Sequence, residues 1–310
     1  MLVLLKCLSY VDIKMLSKYY QKYLKIFSHV LQTTLIFTDV RTSETRKQPL
    51  REVFTQEELI VGMAIIESEL FVATKLRADI EVYDSITLVF KRSWTLDGLC
   101  RPEDMVACSQ LKCLFIFDAT DQGKIYQVDR KGSILSTWFS GNKSVRLSVT
   151  PDSNVIVVFL NDNKLKEYAP IRENRLIQQL SLSSHFRYAI KLPNGNFLVS
   201  RGGKGAGVFE INTFGQELNS FKGNIGSAFT QLNWPEQLAI DNHGSVIVLN
   251  RGNGRVLLLN SKLVFQRQLV LSEIGLYDPL AMVLDKSTNR LFVAVWDIDK
   301  NIFKIFVGSY

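Results

Sequence analysis

Between Pro235 and Val270 (PEQLAIDNHGSVIVLNRGNGRVLLLNSKLVFQRQLV) short apolar runs alternate with polar breaks. Leu238 to Asp241 is an apolar run closed by Asn242-His243-Gly244, and Val246 to Leu249 is a second, β-branched one. The loop Asn250 to Gly254 leads into Arg255 to Leu259. Asn260-Ser261-Lys262 then turns the chain into Val264 to Val270, where apolar residues alternate with Gln266, Arg267 and Gln268. Apolar runs bounded by Asn and Gly are strand signals, so about 36 residues hold four strands joined by tight turns. The first three are apolar and the last is half polar. That gradient suits a sheet whose central strands are covered on both faces and whose outermost strand is wetted.

The same pattern recurs. Pro279 to Asp285 followed by Arg290 to Val295 repeats the first two strands, 44 residues downstream of Pro235. Upstream, Pro102 to Ala107, Cys113 to Asp118, Lys124 to Val128 and Ser133 to Trp138 repeat all four. Weaker copies begin near Gly62, Arg146 and Arg187. Six units therefore start near 62, 104, 146, 187, 237 and 281, and a fixed period of this length signals a repeat architecture. The fold expected is an all-β, six-bladed β-propeller of four-stranded blades. The unit P-x-x-L-A-I-D-x-x-G-x-V-x-V-x-N-x-G-N-x-R-V, read over Pro235 to Asn260, resembles the NHL repeat, which builds six-bladed propellers. Units at 102 and 279 match it moderately, and those at 62, 146 and 187 keep the hydrophobic pattern alone. WD-type and lyase-type propellers stay open as relatives.

Two features lie outside the repeats. Tyr10 to Leu31 spaces Ile13, Leu16, Tyr20, Leu24 and Phe27 at three and four residues, with Lys14, Lys18, Lys22 and Lys25 on other faces. This predicts an amphipathic helix over about 10–31 in an N-terminal extension of residues 1–47. It packs on the propeller, or serves as a basic membrane-surface or partner helix. The last unit ends at Tyr310 after three strands, which leaves a ladder edge open. The segment 48–54 lies where an outer strand preceding the first unit should lie, so it is expected to close the ring and bring the propeller to 48–310. Thr34 to Thr38 is a further strand or part of the helix attachment.

Composition adds little to this. The chain has 310 residues, 46% hydrophobic and 22% charged, which predicts a large core within one closed domain. Its net charge of +7 is compatible with anionic partners and with ordinary solubility. Four cysteines without CxxC spacing suit a reduced, cytoplasmic setting. Met1 to Leu5 lacks the charged start and cleavage signal of a secretory peptide.

Reactive chemistry is sparse. His29, His185 and His243 fall in different units and loop types, which disfavours a shared metal. The inner strands are mostly apolar, with Asp104, Arg146, Arg187 and Gln237 as polar exceptions that make no carboxylate cage. Gly202 to Gly207 precedes no helix and reads as a strand connection rather than a phosphate loop. No catalytic residue, metal or cofactor is expected.

The candidate binding face is formed by loops joining second to third strands and outer to next inner strands. These carry Lys75 and Arg77, Lys124, Arg146, Lys164, Arg187 and Tyr188. Further round they carry Arg201, Lys204, Arg251, Asn253, Arg255 and Lys300. Trp94, Trp138, Phe186, Trp234, Tyr277 and Trp296 lie near them. Trp94, Trp138 and Trp234 suit inter-blade wedges rather than ligand platforms, and Arg255 suits a loop-holding role. The resulting expectation is a non-catalytic, monomeric scaffold that recognises a protein or peptide. Two alternatives stand beside it. One is single-stranded RNA binding through cations and stacked aromatics, as the resemblance implies for some NHL propellers. The other is a propeller hydrolase or lyase with a channel metal. A membrane partner is not expected.

Overall fold

The computed structural model describes residues 51–56, 58–120, 123–141, 144–170, 174–182, 185–222, 231–269, 277–297 and 300–309. Strand β1 (Arg51–Gln56) precedes six repeating units. Blade 1 holds β2 (Ile60–Ile66), β3 (Glu69–Thr74), β4 (Asp79–Asp84) and β5 (Phe90–Thr95). Blade 2 holds β6 (Pro102–Cys108), β7 (Cys113–Asp118), β8 (Lys124–Asp129) and β9 (Ile134–Phe139). Blade 3 holds β10 (Val145–Val149), β11 (Val155–Phe159), β12 (Lys164–Ala169) and β13 (Arg175–Ser181). Blade 4 holds β14 (Phe186–Lys191), β15 (Phe197–Arg201), β16 (Gly207–Ile211) and β17 (Glu217–Lys222). Blade 5 holds β18 (Pro235–Ile240), β19 (Val246–Asn250), β20 (Arg255–Leu259) and β21 (Phe265–Leu269). Blade 6 holds β22 (Tyr277–Asp285), β23 (Arg290–Asp297) and β24 (Ile302–Ser309). Each blade is antiparallel and runs inner to outer in chain order, and β1 completes the sixth in the order β1-β24-β23-β22.

The six units and the closing strand thus follow the hydrophobic pattern. The ladder of the closing strand runs from Arg51 opposite Val307 to Gln56 opposite Phe303, a few residues beyond the expected 48–54. The helix expected over 10–31 and the Thr34 to Thr38 segment lie outside the described residues. No helix among the described residues is long and apolar enough to cross a membrane.

The core is divided among the seams between blades. Ala64, Ile66 and Phe71 of blade 1 pack with Met105, Leu114 and Ile116 of blade 2. The opposite faces of the same blade-2 strands, through Cys113, Phe115 and Phe117, pack with Val145, Val155 and Val157 of blade 3. Four more clusters cover the remaining seams, the last joining Ile60 and Val72 to Phe292 and Ile305. A second strand therefore meets apolar neighbours on both faces. This is why ELFVAT, CLFIFD and VIVVF show no polar alternation and are buried along their whole length. Outer strands such as β9 have one wetted side and alternate.

Side chains of Asp and Asn fix the hairpin turns. Asp241 Oδ1 accepts from the N–H groups of His243 (2.8 Å) and Ser245 (2.7 Å). Asn260 Oδ1 accepts likewise from Lys262 and Val264. These local bonds give the chain an alternative to extending the ladder, so the Asn and Gly punctuation marks real strand ends. Trp94 and Trp138 pack against the blade 1–2 and blade 2–3 cores, Trp138 edge-on to Phe115 at 6.0 Å. Both are wedges.

Candidate functional site

Five inner strands carry a β-bulge near their start, at Val61, Glu103, Arg187, Glu236 and Leu280. Only β10 pairs without one. A bulge re-aims the next residue, and the register puts the residue after it, or in unbulged β10 the second residue Arg146, in one equivalent slot of each blade. Gly62 opposes Ala73, Asp104 opposes Phe117, Arg146 opposes Val158, Tyr188 opposes Ser200, Gln237 opposes Leu249 and Ala281 opposes Ala294. All six line one cavity at the channel, with Glu236 and Arg251 above them. Its volume of about 20 Å³ has room for a single water-sized molecule.

Polar groups in this ring are tied to the neighbouring blade. Asp104 accepts from Met105 N–H (3.0 Å) and, across the seam, from Leu147 N–H (2.7 Å). Gln237 Oε1 accepts from Met282 N–H at 2.7 Å. Arg146 Nη1 donates to the carbonyls of Glu103 (3.4 Å) and Val145 (3.3 Å). Burial pushes the Asp104 carboxyl up to about 6, against the opposing pull of Arg146 and the two backbone donors. Burial raises Tyr188 as well, and Asp104 adds to it. Sequence patterning picks out Asp104, Arg146 and Gln237 as inner-strand polar residues, and the structure brings them together. Arg187, the fourth, sits in the bulge instead, and Tyr188 takes the ring slot.

Strand starts, second-strand ends and third-strand starts share one end of the ring, so the thirteen candidate residues do gather around this mouth. Most of the arginines, however, are held by carboxylates or aromatic rings. Arg187 grips Glu236 at 2.8, 3.1 and 3.3 Å. Arg251 makes a two-pronged pair with Asp278, both contacts at 2.9 Å. Arg77 pairs with Glu58 at 2.9 Å, as Arg101 does with Glu103. Arg201 donates to the Gly205 carbonyl and lies 4.3 Å from the centre of the Phe209 ring. Lys124 lies 4.5 Å from that of Tyr126. Asn253 bonds the Gln231 carbonyl at 3.0 Å, and half-buried Arg255 has its pKa pulled down by burial. Lys75 and Lys164 are half-buried, whereas Lys204 and Lys300 stand exposed.

The carboxylates are what patterning missed. Their signal was present: an acidic residue flanks the proline that opens three units, in Pro102-Glu103, Pro235-Glu236 and Asp278-Pro279. Among the described residues no three His, Cys, Asp or Glu side chains converge as metal ligands. His185 lies at the mouth, before β14, and His243 in the hairpin turn at the opposite end of β18.

No protein-family model matches the chain, and no curated protein resembles it. Among solved structures it is similar to a protein of unknown function from Bacteroides caccae, with a TM-score of 0.53 and 16% identity over 67% of this chain and 80% of that one. At that identity the likeness speaks to fold alone: the chain is a six-bladed β-propeller.

Proposed function

We propose that this propeller is a non-catalytic binding ring that takes a protein or peptide partner on the channel-mouth face. The observation that carries the reading is charge pairing. Arg77, Arg101, Arg187 and Arg251 each hold a carboxylate at the mouth. Such pairs present fixed donors and acceptors of both signs, which suits a partner that itself carries both. A polyanion gains most from unpaired cations whose counterions it can release, and here those arginines are already neutralised. A channel cavity of about 20 Å³ is also far smaller than the pockets that bury small molecules. The match of the Pro235 to Asn260 unit supports an NHL-type propeller as the ancestry of this ring.

Lysine-directed cross-linking of the full chain in extract from its native source tests the reading. Cross-links to partner peptides are expected at Lys75, Lys204 and Lys300 on the mouth, with few at Lys112, Lys131 and Lys286 on the hairpin turns of the other end. An even spread over both ends would sink it. Nuclease-sensitive links to nucleic acid at the mouth would replace it with the RNA reading.

A further inference from the structure

In the first five blades the residue just before the inner strand is a second equivalent position around the mouth, and its carbonyl accepts the N–H of the residue that follows the second strand. Leu59, Arg101 and Ser144 do this for Lys75, Ala119 and Leu160, at 2.9, 2.9 and 3.1 Å. His185 and Trp234 do it for Gly202 and Arg251, at 3.0 and 3.1 Å. Only these last two are left-handed, with φ of 70° and 53°. For a bulky residue that conformation is an outlier, and Trp234 holds it immediately before Pro235, where the backbone is restricted further. Strain of this kind persists only where surrounding contacts impose it.

Those contacts are visible. A Cβ on Gly202 would lie 2.5 Å from Trp234 Cε3, so the indole rests directly on glycine backbone. A Cβ on Gly203 would lie 3.8 Å from His185 Cγ, which puts the imidazole beside the second glycine. The Arg187 guanidinium sits 5.5 Å from the centre of the Trp234 ring, and Glu236 fixes it there. The ring is thus braced from two directions, yet Trp234 remains 40% exposed. The other tryptophans, Trp94, Trp138 and Trp296, bury their indole nitrogens. Next along the chain Lys204 is exposed and, among the described residues, meets no carboxylate. The nearby Arg187 and Arg251 are already paired.

Resting on the protein-partner reading above, we infer that Trp234, Gly202-Gly203 and Lys204 form a docking notch for an extended acidic peptide. An apolar side chain of the peptide lies on the indole and a neighbouring carboxylate meets Lys204. A rigid, half-exposed aromatic costs little ordering entropy on binding, which is why such residues anchor interfaces. The exposed Lys204 ammonium, which follows Gly203 in the chain and meets no carboxylate among the described residues, selects negative charge.

The test is selection from a displayed library of random dodecapeptides on the full chain. Enriched clones are then measured against wild type, Trp234→Ala, Trp234→Phe and Lys204→Glu, each checked for native melting. Clones are expected to join Asp or Glu to an apolar residue. Trp234→Ala should weaken them at least tenfold and Trp234→Phe only slightly. Lys204→Glu should weaken acidic clones and favour their Lys-substituted versions, an effect that shrinks with added salt. Binding should also protect Trp234 fluorescence from acrylamide quenching. Clones that protect the mouth in hydrogen exchange but bind all variants equally would overturn the notch and leave the loop-face reading standing. Clones that protect only the outer strands, or no enrichment at all, would overturn both.

Discussion

Arg187 and Glu236 occupy the same bulge position in adjacent blades, and their side chains meet across the seam with a shortest contact of 2.8 Å. The bulge that aims Tyr188 and Gln237 into the channel also aims these two charges at each other. The pair is unequal: Glu236 is nearly buried, whereas Arg187 keeps about a quarter of its side chain in water. Removing the cation should therefore hurt more than removing the anion. Arg187→Ala strands a buried carboxylate and is expected to cost about 2–3 kcal/mol, whereas Glu236→Ala leaves a guanidinium that can reach solvent and should cost about 1 kcal/mol. Urea unfolding of both singles and the double variant measures the coupling. Equal, additive losses would show that the pair does not hold the seam.

Gly62 is a ring position at which blade 1 lies close against blade 2. A Cβ there would lie 2.9 Å from both the Cβ and the backbone N of Met105. Backbone cannot swing aside as a side chain can, so Gly62→Ala is expected to destabilise by about 1–3 kcal/mol through overpacking. Gly195 supplies the contrast. It has φ of 88° and nothing within 4 Å of an added Cβ, so Gly195→Ala should carry only the left-handed backbone cost of about 1 kcal/mol. Chemical denaturation of the two variants distinguishes crowding from strain. A Gly62→Ala protein as stable as wild type would show that the blades can part without penalty.

The difference between fold and site in legibility has a physical origin. Strand order and blade number follow from local signals: an apolar run, an Asx turn such as Asp241-Asn242-His243-Gly244, another apolar run. Ring closure followed from a missing fourth strand. The state of the mouth cations depends instead on partners far along the chain, 49 residues away for Arg187 and 27 for Arg251. Arg187 and Tyr188 show the limit most clearly. Period-2 alternation cannot say which of the two faces the channel when Arg187 is itself the extra residue of a bulge, and the bulge leaves no glycine or proline at that point.

The closing strand gives a prediction on architecture. Among the described residues β1 is the only strand paired with the outer edge of β24, whose Ile305 and Phe306 are fully buried. Deleting residues through Gln56 should expose that edge, lower the melting temperature and cause concentration-dependent association in sedimentation. Deleting only residues 1–47 leaves β1 in place and should preserve a cooperative transition. If both truncations behave alike, the ring is not closed by this ladder.

Asp104 couples the channel to pH. Its carboxyl is buried among Met105 N–H, Leu147 N–H and Arg146, and burial lifts its pKa to about 6 from the model-peptide value of 3.8. For an acid raised in the folded state, the unfolded chain gives up the proton more readily. The favourable contribution is therefore complete below about pH 4, is lost as pH rises through about 6, and reaches a loss of order 3 kcal/mol above that. Asp104→Asn removes the titration but has a single acceptor oxygen for two backbone donors. It should be clearly less stable than wild type at pH 4, with the gap narrowing steadily toward pH 7. Arg146 is the largest influence opposing burial, so Arg146→Met should drive the carboxyl higher and extend the pH-dependent loss upward. Unfolding free energies for the three proteins at half-unit steps from pH 4 to 8 give the comparison. A gap between wild type and Asp104→Asn that stays constant with pH would show that the carboxyl titrates as in water. A gap that widens as pH rises would show that Arg146 and the backbone donors outweigh burial and hold an ionised Asp104 as the stabilising form.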